Sequence, residues 1–156
     1  MAAEQGLSSQ GGAISSETEV DTKADDLVVD PRFDDAIAAV DAGDWVRAKS
    51  EYQAILDSDP SDLDAQGGLI MCGIFERTEG KSVPEGKSYE DQLLRADFAA
   101  SQGLWPEAFA TIIDVVRASS GGERELARAR AVEYFTLAGE HPDVPAARIN
   151  LANALF

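Results

Sequence analysis

The feature that most constrains this chain is a six-residue pattern that occurs twice. Residues 43–48 (GDWVRA) return sixty positions later as residues 103–108 (GLWPEA). A glycine can end one helix, an aromatic residue can open the next, and a small alanine lets two helices approach closely. The pattern therefore predicts two copies of one helical hairpin. The shared positions are Gly43, Trp45 and Ala48 in the first copy and Gly103, Trp105 and Ala108 in the second.

The spacing of apolar residues predicts seven helices, and no segment shows the alternation of a strand. We expect helices at about 31–42, 45–58, 62–77, 89–102, 105–118, 123–138 and from 145 onward. Residues 78–88 are predicted to be a loop between the two copies, and residues 119–122 a turn. The expected fold is all-α, with two three-helix repeats and a C-terminal capping helix.

The first 29 residues differ in composition from the rest of the chain. They are rich in Gly, Ser, Glu and Asp and contain no aromatic residue. Such a composition predicts a disordered linker or tail, followed by one helical domain over 30–156. The tail also lacks the basic and then apolar pattern of a signal peptide.

The charge of the chain limits its partners. It carries 29 acidic and 13 basic residues, which give a formal net charge of −16. This charge disfavours nucleic acid and anionic membranes as partners. The longest nearly apolar run, 67–75, is too short to span a bilayer. With a single cysteine, no intrachain disulfide can form, and we expect a cytoplasmic protein.

Three patterns that resemble chemical sites fail on spacing or composition. Residues 80–88 (GKSVPEGKS) have five residues between the glycines where a phosphate-binding loop requires four. Counted from Asp57, an acidic run at 57–64 lacks the glycine and glutamate of a calcium loop. The single histidine, His141, has no recognisable nucleophile or metal-ligand partner. We therefore predict no catalytic residue, no cofactor and no metal.

The turn glycine, the aromatic two residues later and the alanine three after that are typical of a tetratricopeptide (TPR)-like hairpin. Arrays of such hairpins present surfaces to other proteins. We predict a protein-binding groove lined by the first helix of each hairpin and extended by the third helix. The candidate residues are Phe33, Ile37, Val40, Leu93 and Asp97, with Met71 and Phe75 on the third helix.

The chain also resembles a particular family. The residues that carry the resemblance are Pro31-Arg32-Phe33, Gly43-Asp44-Trp45, Tyr52, Asp59-Pro60, Gly121-Gly122 and the closing segment 147–156. They are similar to the C-terminal TPR-like region of the YbbN (CnoX) thioredoxin-like co-chaperones, in the form common in actinobacteria. The resemblance implies a holdase-type co-chaperone that binds partly unfolded clients and docks on chaperonin or DnaK-type machinery. It also implies an N-terminal thioredoxin domain in the parent protein. That domain and its cysteines are absent from this sequence, so no redox activity is carried over.

Two alternatives remain open at this stage. The domain could self-associate, for example as a homodimer, and serve as a scaffold without binding clients. It could also be a redox-regulated chaperone that acts through Cys72, although a lone cysteine in an apolar run is more typical of a small buried residue.

Overall fold

The structure, a computed structural model, describes residues 30–156 and contains seven α-helices in that range. A short 3₁₀ turn, Pro31–Phe33, precedes them. The helices are α1 (Asp34–Asp41), α2 (Trp45–Ser58), α3 (Leu63–Thr78), α4 (Tyr89–Ser101), α5 (Trp105–Ala118), α6 (Gly121–Ala138) and α7 (Val144–Leu155). No strand occurs within these residues, so the predicted all-α, TPR-like architecture is confirmed. The tail predicted over 1–29 lies outside the described residues.

The two predicted hairpin turns have the same backbone geometry. Gly43 and Gly103 adopt φ of 68° and 69°, a left-handed conformation that favours glycine. The N–H groups of Asp44 and Leu104 donate to carbonyl oxygens five residues back, at 2.9 Å in both turns. This six-to-one hydrogen bond is the Schellman ending of a helix. The repeat in the sequence is therefore a repeat in the structure.

The alanines of the pattern lie where the paired helices touch. Ala48 and Ala108 are fully buried, and so are Ala36 and Ala96 on the preceding helices. A larger side chain at any of these positions would separate the two axes, because packed interiors leave little free volume.

The two tryptophans are half-buried and have different partners. The Trp45 ring lies 5.4 Å from the Phe75 ring on α3, whereas the Trp105 ring stacks on Phe109 of its own helix at 5.9 Å. The indole nitrogen of Trp45 is buried without a hydrogen-bond partner among the described residues. Trp45 thus connects α2 to α3, while Trp105 contacts Phe109 of its own helix and packs against the larger core.

The helices of each copy pack in sequence order, and α3 connects the copies. Helix α2 lies between α1 and α3, and α5 lies between α4 and α6. Helix α3 contacts both α4 and α6, and α7 packs mainly against α5. The larger hydrophobic core is built from α4 to α7 with Ile74 of α3. The first copy has a much smaller core, formed by Ala39, Ala48 and Cys72.

Most predicted helix limits agree with the structure to within two residues, and one turn was placed wrongly. We expected residues 119–122 to be a turn because two glycines are adjacent there, but α6 begins at Gly121. The connection is instead made by Ser119 and Ser120 in extended conformation. Arg124 stabilises this connection, since its side chain donates to the Ser119 carbonyl oxygen at 2.7 Å.

Among the helices that the structure describes, none combines the length and the apolar character that a transmembrane helix needs.

Candidate protein-binding cleft

A cleft with mostly apolar walls runs along α3, with α1 and α2 on one side and the end of α6 on the other. Its volume is about 400 Å³. We call it the α3 cleft. Its lining residues are Val40 of α1, Tyr52 of α2, Leu63, Asp64, Gly67, Gly68, Met71, Cys72 and Phe75 of α3, and Thr136 and Leu137 of α6.

The face of α3 that lines the cleft follows from its sequence. Leu63, Gly67, Met71 and Phe75 recur every four residues, so they form one stripe along the helix. The second glycine, Gly68, lets another helix come unusually close. A Cβ atom there would lie only 2.4 Å from the Tyr52 ring, so the ring rests directly on the α3 backbone.

Three of the seven predicted groove residues line the α3 cleft. Val40 on α1 and Met71 and Phe75 on α3 are half-buried there. Phe33 lies beside the cleft, with its ring 6.1 Å from the ring of Tyr52. Ile37 is 36% exposed on α1 but is not a lining residue.

The prediction was wrong for Leu93 and Asp97, which we had placed in the same groove. Leu93 is 5% exposed and belongs to the large hydrophobic core, and Asp97 is completely buried. The reason is that α4 packs against both α3 and α5, and Leu93 and Asp97 line a separate cavity of about 360 Å³ instead of the α3 cleft. The first helices of the two hairpins therefore do not form one continuous groove.

Asp97 is instead the centre of a buried polar cluster that joins the two copies. Arg77 of α3 donates to both carboxylate oxygens, at 2.8 and 3.0 Å. Arg130 and Tyr134 of α6 donate to the same carboxylate at 2.9 and 2.6 Å. Glu133 accepts a further bond from Arg77 at 3.3 Å. Two arginines and a tyrosine thus satisfy a fully buried charge, which would otherwise be very costly.

The buried phenol of this cluster is strongly perturbed. Burial, and then the adjacent Asp97 carboxylate, raise the pKa of Tyr134 far above its ordinary value. Burial is also the main cause that raises the pKa of the Glu133 carboxyl, against the opposing effect of Arg77. The cluster holds three helices together, and Arg77, Asp97 and Arg130 also line a cavity of about 360 Å³ beside it.

Cys72 lines the α3 cleft but has the properties of an unreactive thiol. It is only 2% exposed, and burial is the main cause that raises its pKa. A redox-sensing cysteine needs the opposite, an accessible thiol with a lowered pKa. The alternative of a redox-regulated chaperone is therefore disfavoured.

A second, larger cleft of about 510 Å³ lies between α5 and α7. Its rim carries Asp114, Arg117 and Asp143, and the first two form an ion pair at 2.7 Å. We regard the α3 cleft as the better candidate for binding apolar segments, since Asp64 is the one charged residue among its lining residues. Within residues 30–156 no group of three His, Cys, Asp or Glu side chains is arranged to hold a metal ion.

Comparison with known proteins supports the repeat assignment. Residues 82–156, which include α4 to α7, match the family model of the tetratricopeptide repeat. Uncharacterized proteins of two Mycobacterium tuberculosis strains and of Mycobacterium bovis are each 36% identical over 154 residues. The alignment covers 93% of this chain and 48% of each relative, so the chain spans about half the length of these relatives. No solved structure matches.

The second copy and α7 thus resemble a TPR region by sequence, and the first copy repeats the same hairpin turn in the structure. TPR-like arrays typically serve as protein-interaction modules, which use the concave surface between their helices.

Proposed function

We propose that this chain is the non-catalytic interaction domain of a cytoplasmic co-chaperone, and that it binds chaperone machinery or partly unfolded proteins through the α3 cleft. The observation that carries the proposal is the cleft itself, an apolar stripe of α3 left open to solvent on a TPR-like array. Exposed apolar surface is a common feature of protein-interaction sites.

The co-chaperone part of the proposal rests on the resemblance to the YbbN-type family. In that family the TPR-like region follows a thioredoxin domain, and our proposal includes such an N-terminal domain in the parent protein. The length of the mycobacterial relatives is compatible with a further domain, because they are about twice as long as this chain.

The first experiment is co-sedimentation of the full chain with a GroEL-type chaperonin, alongside light scattering of a denatured model protein diluted into the chain. We expect saturable co-sedimentation, or suppressed aggregation, at a stoichiometric amount of chain. If a folded, helical chain does neither, the co-chaperone proposal is wrong.

Two matched variants test whether the α3 cleft is responsible. Leu63 is 75% exposed in the first turn of α3 and lines the cleft, whereas Val46 is 70% exposed in the first turn of α2 and does not. Leu63→Gln should weaken binding severalfold, and Val46→Gln should leave it unchanged. Both variants should unfold at nearly the wild-type temperature, because exposed side chains contribute little to stability.

Self-association is the alternative function, and an apolar surface on α7 favours testing it. Ile149 is 63% exposed there, and Phe156 follows it at the end of the chain, also exposed. Sedimentation velocity across a range of concentrations separates the two functions. A concentration-dependent dimer that Ile149→Gln dissociates, with no effect on a denatured protein, would support the scaffold alternative.

A further inference from the structure

The charges around the α3 cleft have one predominant sign. Residues 30–78 contain α1, α2 and α3, which are three of the four helices that line the cleft. Among these residues there are eleven acidic and four basic ones. Asp64 lies in the cleft wall, and it follows Asp57 at the end of α2 and Asp59 and Asp62 in the turn between α2 and α3. Hydrogen bonds from the Ser61 hydroxyl and backbone N–H lower the pKa of Asp59, which keeps this carboxylate ionised.

The four basic residues of this part are already paired with carboxylates. Arg32 contacts Asp30 and Asp62, and Lys49 contacts Glu76. Arg77 is held by Asp97 and Glu133. The fourth, Arg47, lies 3.8–3.9 Å from Glu51 and Asp35. An acidic ligand would have to compete with the carboxylates that already pair with these basic residues. A basic ligand would instead meet carboxylates that outnumber the basic side chains around them.

We infer that the α3 cleft selects a short peptide segment in which apolar side chains are flanked by lysine or arginine. This inference rests on the proposed function and specifies which segments of a partner are bound. The apolar side chains would occupy the space between Met71, Phe75 and Leu137, and the basic residues would lie over the acidic end near Asp64. Burial of apolar area gives the affinity, and charge complementarity gives the choice among segments.

The size of the cleft fits this kind of ligand. A volume of about 400 Å³ is within the usual range of small-molecule pockets, roughly 300–1,000 Å³. It accommodates a few side chains of an extended or helical segment, not the surface of a folded domain. The exposed Leu63 at its rim extends the apolar contact toward solvent.

The test uses two synthetic fluorescent peptides with the same apolar centre, one flanked by lysines and one by glutamates. Fluorescence anisotropy with the full chain gives both affinities, at low and at high salt. We expect the lysine-flanked peptide to bind about tenfold more tightly at low salt, as several exposed ion pairs would give. The difference should shrink at high salt, since salt screens exposed charges.

Two pairs of matched variants test whether the peptides bind at the α3 cleft. Asp64→Asn should reduce the preference for the lysine-flanked peptide severalfold, while Asp114→Asn, which removes an exposed charge on α5, should not. Leu63→Gln should weaken the binding of both peptides, whereas Val46→Gln should weaken the binding of neither. A preference that Asp64→Asn and Asp114→Asn change equally would contradict a site at the α3 cleft.

The outcomes separate this inference from the proposed function. Equal affinity for the two peptides, or tighter binding of the glutamate-flanked one, overturns the inferred selectivity even if the chain suppresses aggregation. Failure of both peptides to bind also overturns it. Conversely, selective binding of the lysine-flanked peptide by a chain that neither binds chaperonin nor suppresses aggregation supports the inferred ligand and contradicts the co-chaperone role.

Discussion

At the scale of single residues, the two adjacent glycines of α3 differ in the space available for a side chain. A Cβ atom on Gly67 would lie 3.9 Å from Leu137 Cδ2, which is an ordinary contact distance. A Cβ atom on Gly68 would lie 2.4 Å from the Tyr52 ring, which is too close. Neither glycine has a positive φ, so only their surroundings distinguish them.

This difference gives a matched pair of substitutions. Gly67→Ala should raise the free energy of unfolding by about 0.5–1 kcal/mol, because alanine loses less backbone entropy in a helix. Gly68→Ala should lower it by about 1–3 kcal/mol, because the Tyr52 ring must move and the packing around it is strained. Urea denaturation followed by circular dichroism measures both changes.

The comparison includes its own control, since both variants gain the same methyl group in the same turn of α3. If Gly68→Ala were as stable as Gly67→Ala, the Tyr52 ring would not rest on the α3 backbone. The shape of the cleft between α2 and α3 would then differ from the one described.

Residue-scale prediction from sequence succeeded where the contacts are local. The turn glycines, their tryptophans and the buried alanines follow from spacing within one hairpin. It failed for Asp97, whose partners Arg77, Arg130 and Tyr134 are 20, 33 and 37 positions away. Helical periodicity places a residue on a face of a helix, but it does not say which other helix covers that face.

At the scale of the helices, the two copies start their second helix differently. The Asp44 carboxylate accepts a hydrogen bond from the Arg47 backbone N–H at 3.0 Å and so caps α2. Its counterpart in the second copy, Leu104, has no side-chain acceptor, and α5 has a proline in its first turn instead. A proline there leaves one fewer N–H to satisfy. The free N–H groups at the start of α2 are thus reduced by a side-chain cap, and those at the start of α5 by a proline.

Asp44→Ala should therefore destabilise the chain by about 1 kcal/mol, the usual cost of losing a cap. Asp44→Asn is the control, because asparagine also caps well and keeps an oxygen acceptor. We expect the asparagine variant to lose clearly less stability than the alanine variant in thermal and urea unfolding. Equal losses would mean that the charge of Asp44, rather than its hydrogen bond, stabilises α2.

Helix limits were predictable because capping residues and glycines mark them in the sequence. Asp62 and Ser88, at the starts of α3 and α4, accept from the backbone N–H groups of Ala65 and Asp91. The start of α6 was not predictable from the same signals, since the glycine pair 121–122 reads as a turn. Its position depends on tertiary contacts, among them the bond from Arg124 to the Ser119 carbonyl oxygen.

At the scale of the whole molecule, the two copies are unequal and the Asp97 cluster joins them. The second copy contains the large core, whereas the core cluster of the first copy consists of only three small buried residues. Arg77 extends from α3 into the second copy, where Asp97 and Glu133 hold it. The α3 cleft therefore lies on the smaller, less buried copy, and its position relative to the rest depends on this cluster.

The sequence could not predict this arrangement, although it did predict the repeat. Hairpin geometry fixes how α1 meets α2 and how α4 meets α5. The contact of α3 with α4 and α6 depends on a polar cluster assembled across the loop 79–88. For the cleft, the apolar stripe of α3 was visible in the sequence, but the contribution of Leu137 from α6 was not.

The Asp97 cluster makes the stability of the whole molecule sensitive to alkaline pH through Tyr134. The raised pKa keeps this phenol protonated in the folded state, whereas in the unfolded chain it ionises near pH 10. Below that pH both states carry the proton and stability is unaffected. Above it the unfolded state alone releases the proton, so stability falls as the pH rises, by about 1.4 kcal/mol at pH 11.

Tyr134→Phe should remove this contribution to the loss of stability at alkaline pH. At neutral pH the variant should itself be about 1–2 kcal/mol less stable, because Asp97 loses a hydrogen bond. The informative quantity is the change in free energy of unfolding between pH 8 and pH 11, measured by urea denaturation. We expect that change to be about 1.4 kcal/mol smaller in the variant than in the wild type.

Part of the loss of stability at alkaline pH should remain in the variant, since burial also raises the pKa values of Tyr52 and Tyr89. The same pH dependence in both proteins would show that Tyr134 ionises normally in the folded state, and thus that the Asp97 cluster is open to solvent.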